Sequence, residues 1–219
     1  MPRWLIGLSA ASPTSRSVFA LVVVAAFGWA APAGATVMLS LTTEQLTDQA
    51  SVVVRGRVVG QQVVTDAGRL WTDTTLRIGA VLKGTVSAGK TIVVRQPGGD
   101  TPMGGMVVAG AARFGRGEEV LVFLRPASGS LHVAVGMCQG KYRVYRDAGG
   151  VERARRELGG VAFALRDGQG RVSLKRAPST DVPLAMVVSA VQRRTAPGGW
   201  SRQLRAGPGP RGAAPGGAR

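Results

Sequence analysis

The segment Gly84-Thr85-Val86-Ser87-Ala88-Gly89-Lys90-Thr91 fills every fixed position of the phosphate-binding pattern G-x-x-x-x-G-K-[ST]. That loop works only when a helix starts at the lysine, so that backbone amides and the helix dipole face the phosphates. Here Lys90 is followed by Thr91-Ile92-Val93-Val94-Arg95-Gln96-Pro97, a β-branched run ended by proline. No apolar strand ending in Asp is present to hold magnesium. The pattern reads as a hairpin turn, not as a nucleotide site.

Three other groups could do chemistry. Glu118 and Glu119 are adjacent carboxylates, but neighbouring strand residues point to opposite faces, so the pair reads as a solvated turn rather than an acid–base couple. His132 lies near Ser128 and Ser130, yet nothing nearby orients it and the G-x-S-x-G elbow is absent, which makes it a rim or half-buried strand residue. Cys138 sits in Gly136-Met137-Cys138-Gln139-Gly140-Lys141. Lys141 could activate the thiol, but a partly buried, isolated cysteine is the simpler reading.

One Cys and one His in 219 residues exclude an intramolecular disulfide, a multi-cysteine metal site and most zinc geometries. No catalytic, metal or cofactor site is expected, and the chain reads as a non-enzyme. The formal charge of +16 comes mostly from arginine, and Arg, Gly, Ala and Pro are abundant together. Part of the bias is thus compositional, although a basic surface attracts polyanions whatever its origin. A 45% hydrophobic content suits a globular protein.

The elements that must position these residues are mostly strands. Residues 1–35 read as a signal peptide: Arg3 and Arg16 are basic, Val18 to Ala31 is uncharged and apolar, and Ala33-Gly34-Ala35 offers a small-x-small cleavage site. The apolar run is shorter than the ~20 residues of a membrane span. Export to the periplasm or the exterior follows, with the mature chain starting at Thr36, no stable membrane span after cleavage, and an uncleaved N-terminal anchor as the alternative. Thr42 to Ala50 is a short helix opened by a Thr42/Gln45 capping box. Ser51 to Val59 is a strand bent at Gly56. Gln61 to Gly68 is a turn, Leu70 to Leu82 a long strand, and Thr91 to Arg95 another. Gln96 to Gly105 is a Pro/Gly loop without regular structure, and Met106 to Ala109 a short strand.

Val120-Leu121-Val122-Phe123-Leu124 anchors the chain. It is a short apolar run between Gly117-Glu118-Glu119 and Arg125-Pro126, so it reads as a strand buried on both faces. Leu131 to Val135 and Lys141 to Arg146 are further strands, with a turn at Asp147 to Gly150. Val161 to Leu165 and Arg171 to Leu174 form a hairpin. Leu184, Val187, Val188 and Val191 recur at helical spacing, which predicts an amphipathic helix over residues 179–194 capped at Ser179 or Thr180. Residues 195–219 read as a disordered basic Gly/Pro/Arg tail. Residues 36–194 then form one mainly β domain, a small closed or half-closed OB-like barrel with a short N-terminal helix and a C-terminal helix.

Three stretches occur in order: Ala50-Ser51-Val52-Val53-Val54-Arg55-Gly56-Arg57-Val58 after a helix, Val81-Leu82-Lys83-Gly84 closing a long strand, and Gly117 to Leu124. This order resembles that in a family of uncharacterised exported bacterial β-domain proteins. More distantly, residues 41–145 resemble the netrin-like, OB-type domain of the tissue inhibitors of metalloproteinases. The resemblance implies a barrel. It implies no inhibition, because those inhibitors chelate zinc through an N-terminal cysteine, whereas Thr36 opens the mature chain here and Cys138 is the lone cysteine.

The expected role is an exported binding or protein-interaction module with a secreted protein as partner, acting as a monomer. Its candidate surface is Arg55, Arg57, Pro97, Asp100 and Met103, since loops on rigid barrels tend to carry function. The alternative is a polyanion binder, for anionic glycan or nucleic acid, using the Arg-rich C-terminal third. Its candidate contacts are Arg193, Arg194, Arg202 and Arg205, and nonspecific polyanion binding is expected to be weak.

Overall fold

A computed structural model describes residues 37–158, 161–166, 172–176 and 179–196. The elements are β1 (Val37–Leu39), α1 (Thr43–Gln49), β2 (Val52–Asp66), β3 (Arg69–Lys83), β4 (Thr91–Pro97), β5 (Gly99–Thr101) and β6 (Gly104–Met106). They continue with β7 (Glu119–Pro126), β8 (Leu131–Ala134), a 3-10 turn (Met137–Gly140), β9 (Lys141–Arg146), β10 (Glu152–Arg156), β11 (Ala162–Arg166), β12 (Val172–Arg176), β13 (Thr180–Pro183) and α2 (Leu184–Thr195). The predicted signal peptide and the tail from residue 197 onward lie outside the described residues, as does the turn joining β11 to β12.

The largest sheet runs β13-β10-β9-β7-β2-β3-β4-β8, and β8 also pairs with β7. That extra pairing closes β2, β3, β4, β8 and β7 into a ring. β2, β3 and β4 form an antiparallel meander, β8 lies parallel to β4, and β7 lies antiparallel to both β8 and β2. The result is a mainly β, five-stranded OB-like barrel, as the strand pattern predicts.

β7 is where the sheet forks. On one edge Glu119 to Leu124 pair with β2; on the other, Glu119 to Val122 pair with β9 and Leu124 to Pro126 with β8. Val120, Val122 and Leu124 therefore point into the barrel, beside Val54, Val58, Leu76, Ile78, Ile92 and Val94. Leu121 and Phe123 point outward into a second core built from Leu46 and Ala50 at α1, Leu184, Val187 and Val191 of α2, and Tyr142. All five residues of Val120 to Leu124 are fully buried. At roughly 1.5–3 kcal/mol for each buried side chain, this run is the largest contiguous contribution to both cores.

Local chemistry explains the element ends. Thr42 Oγ1 accepts from the Gln45 amide at 3.2 Å, and the Gln45 side chain accepts from the Thr42 amide at 2.9 Å, completing the predicted capping box. At Gly56 the register of β2 on β3 shifts, and a Cβ there would lie 2.6 Å from the Arg77 carbonyl oxygen, so the bulge requires glycine. The Gly84–Lys90 segment connects β3 to β4, and Thr91 begins a strand instead of a helix. It is the hairpin connection that the sequence suggests.

Several expectations are corrected. β2 continues to Asp66 and turns at Ala67-Gly68, both left-handed (φ 49° and 73°), so residues 61–66 are strand and not turn. Within Gln96 to Gly105, β5 and β6 pair as a small antiparallel hairpin where an unstructured loop is expected. The strand expected over residues 106–109 ends at Met106. Thr180–Pro183 is a strand paired with β10, so the last helix starts at Leu184 with Pro183 as its N-cap. Proline has no amide proton to lose there, and its fixed φ suits the strand-to-helix switch. β1, β10 and β13 carry no clear period; β1 pairs with the distant β11, and β10 pairs with both its neighbour β9 and the later β13.

Candidate functional site

The inward rows of the barrel change character towards one end. Cross-strand partners share a face, so Thr72 with Gln96, Thr74 with Val94, Leu76 with Ile92, Gln61 with Thr74 and Val63 with Thr72 extend the inner surface in register. Leu76, Ile92 and Val94 are aliphatic core; Gln61, Thr72, Thr74 and Gln96 are polar. Thr74 is fully buried and Gln96 is 5% exposed. A threonine and a glutamine at the end of an aliphatic barrel make a polar mouth.

A cleft of about 370 Å³ opens there. Gln61, Thr72 and Gln96 face it from the barrel, and Val108, Ala112 and Phe114 face it from the segment joining β6 to β7. A hydrogen-bonded chain crosses the barrel side. Gln61 Nε2 donates to Thr74 Oγ1 at 3.3 Å and to the Phe114 carbonyl at 2.9 Å, and Thr74 Oγ1 donates to Gln96 Oε1 at 3.4 Å. Thr72 Oγ1 donates to the Gly98 carbonyl at 2.7 Å. Gln96 Nε2 is out of water and has no hydrogen-bond partner. Exchanging the amide's oxygen and nitrogen moves the open position to Oε1 without filling it.

The wall formed by residues 107–118 is pinned rather than draped. Ala112 and Phe114 enter the barrel core, and Glu118 accepts from the Gly115 amide at 2.7 Å. Lys141 Nζ donates to Glu118 Oε1 and to the Arg113 carbonyl, each at 2.6 Å, and lies 5.3 Å from the centre of the Phe114 ring. Glu118 and Glu119 do point to opposite faces. Only Glu118 departs from the solvated reading, since Lys141 holds it with 11% of its side chain exposed; Glu119 is bonded by Arg55 and keeps 32% exposed.

The candidate interaction residues fall into two groups. Pro97 and Asp100 line the cleft, and Met103, 99% exposed, tips the β5–β6 hairpin beside it. Arg55 and Arg57 alternate with inward Val54, Gly56 and Val58 and so face away from the barrel interior. Arg55 donates two bonds to Glu152 (2.8 and 3.1 Å) and one to Glu119 (2.6 Å). The Glu152 bonds, aided by Glu119 and opposed by burial, push its guanidinium pKa up. Arg57 is exposed and donates to the Gly117 carbonyl at 3.2 Å.

Of the candidate polyanion contacts, Arg194 is bonded through two guanidinium nitrogens to Asp48, a hydrogen-bonded pairing that raises its pKa and ties α2 to α1. Arg193 is exposed, and Arg202 and Arg205 lie outside the described residues. His132 is half-buried in β8, with Nδ1 lacking a partner. Cys138 is buried, and desolvation raises its thiol pKa; the cation that could have activated it, Lys141, is engaged by Glu118. Among the described residues no group of three potential metal ligands occurs, and no helix is long and apolar enough to cross a membrane.

Sequence reasoning passes over Gln61, Thr74 and Phe114, and takes Gln96 only as the start of the Gln96–Gly105 loop. The available signal was parity: Ile92, Val94 and Gln96 alternate on one face of β4, so Gln96 had to point where the two aliphatic residues point. No protein-family model matches the chain, and no curated protein matches it.

Proposed function

We propose that the chain is an exported, non-enzymatic binding module that engages a secreted partner protein through the mouth of its barrel. The observation that carries this reading is the cleft at the polar barrel end, flanked by a hairpin whose tip residue Met103 is 99% exposed. A partly closed barrel supplies a rigid base, and a loop standing on such a base beside a cleft is where contacts tend to lie. His132 is half-buried with its Nδ1 out of water, and Cys138 is buried. The test is a pull-down from the source organism's exported fraction with the secreted chain and with a version ending at Arg194. One protein retained by both in raised salt supports the module.

A second reading, a polyanion binder acting through the Arg-rich C-terminal third, is favoured by one observation. Arg143 of β9 and Arg155 of β10 are direct cross-strand neighbours, and both are exposed. Like charges placed opposite each other repel, and an anion relieves the repulsion. This reading keeps Arg193, Arg202 and Arg205 as further candidate contacts, the last two outside the described residues. Recovery of only nucleic acid or anionic glycan, lost steeply with salt, would favour it over the first.

A further inference from the structure

We infer that the cleft at the barrel mouth receives an extended, uncharged segment of peptide and that Gln96 reads one of its peptide groups. The inference rests on the mouth being the binding surface and adds the chemistry of what binds there. Gln96 is nine-tenths buried, lines the cleft, and keeps one end of its amide out of water without a partner, so a ligand bonds it once the amide turns towards the cleft. A buried polar group left open costs the free protein, so a ligand that satisfies it gains selectivity over one that does not. A peptide group carries a donor and an acceptor side by side and satisfies the open position in either orientation of the amide.

The rest of the lining narrows the class. Val63, Met106, Val108 and Ala112 offer aliphatic walls for a small side chain. The charged lining residues are Asp100 and Arg113, one of each sign, so the cleft has no excess of cations with which to hold a phosphate. Phe114, the one aromatic side chain of the lining, is 9% exposed, which leaves little ring face for stacking a base or a sugar. The volume of about 370 Å³ suits a few residues and not a folded surface.

The experiment titrates the ¹⁵N-labelled secreted chain with the capped tripeptide acetyl-Ala-Ala-Ala-amide and, separately, with maltotriose. The expected result is saturable shifts of the Gln96 side-chain amide and of the Gly98 and Ala112 backbone amides with the tripeptide. A Kd of about 1 mM is the scale for so small a probe. Gln96→Leu weakens the tripeptide by about tenfold or more (roughly 1.4 kcal/mol). Val108→Trp, which fills the cleft from the opposite wall without touching the barrel interior, does the same and covers the case in which Gln96→Leu fails to fold. Shifts with maltotriose in place of the tripeptide overturn the inference, as does silence with both probes. A partner protein captured equally well by wild type and Val108→Trp overturns the inference while leaving the module reading intact. Tripeptide binding without any captured partner does the reverse.

Discussion

Lys141 Nζ and Glu118 Oε1 meet at 2.6 Å with 7% and 11% of their side chains exposed, so a nearly dry ion pair ties β9 to the wall of the cleft. The ammonium also donates to the Arg113 carbonyl and lies over the Phe114 ring, so one cation holds residues 113, 114 and 118. Breaking such a pair on one side costs more than the pair is worth intact, because the remaining charge stays buried.

Lys141→Met should therefore destabilise the protein by about 3–5 kcal/mol, and the double change Lys141→Met with Glu118→Leu should recover much of that loss. Denaturant midpoints of the three proteins check it. Equal destabilisation by the single and double variants would contradict a buried charge as the cause.

At Gly56 the prediction is steric. An added Cβ at 2.6 Å from the Arg77 carbonyl oxygen cannot be accommodated unless β2 or β3 moves, so Gly56→Ala should cost about 1–3 kcal/mol. Gly68 is a control of different kind, since no atom lies within 4 Å of its Cβ position and its cost comes from a φ of 73° alone. Thermal unfolding of the two variants separates packing from backbone strain.

The outer carboxylates set an acid limit. Hydrogen bonds from Arg55 lower the pKa of Glu152, and hydrogen bonds from Tyr145 and then Arg153 lower that of Asp181. A carboxylate whose folded pKa lies below its unfolded one stabilises fully above the unfolded value and loses that stabilisation as pH falls through the folded value. Stability should thus stay level above the ordinary glutamate value of 4.5 and fall below it. Arg55→Gln should flatten the acid limb, and unfolding midpoints across pH 2 to 6 read this out. An identical acid limb in Arg55→Gln would remove Arg55 as its cause.

Where the chain's structure depends on neighbours in sequence, it was legible. The capping box at Thr42 and Gln45, the bend at Gly56 and the two buried faces of Val120 to Leu124 all follow from residue type and spacing. What was not legible depends on strand partners rather than on period. Glu152-Arg153-Ala154-Arg155-Arg156 has no apolar alternation and becomes a strand because β9, just before it, and β13, further along the chain, flank it. Thr180 to Pro183 shares that origin, so a helix read from the period of Leu184 to Val191 was extended too far. The cleft was hidden for the same reason: Gln96 is ordinary in its own strand and acquires meaning only from Thr74, Gln61 and the wall that Lys141 holds.

If the proposed partner binds at the barrel mouth and its hairpin, Met103→Asp should remove a contact without disturbing the fold. Met103 is 99% exposed, so the change should leave the unfolding midpoint within about 0.5 kcal/mol of wild type. With the captured partner in hand, isothermal titration at raised salt should show the affinity of Met103→Asp reduced about tenfold or more, the scale of a contact residue's loss. Unchanged affinity in Met103→Asp, or binding that disappears with salt in wild type, would contradict the account and return the function to the basic C-terminal third.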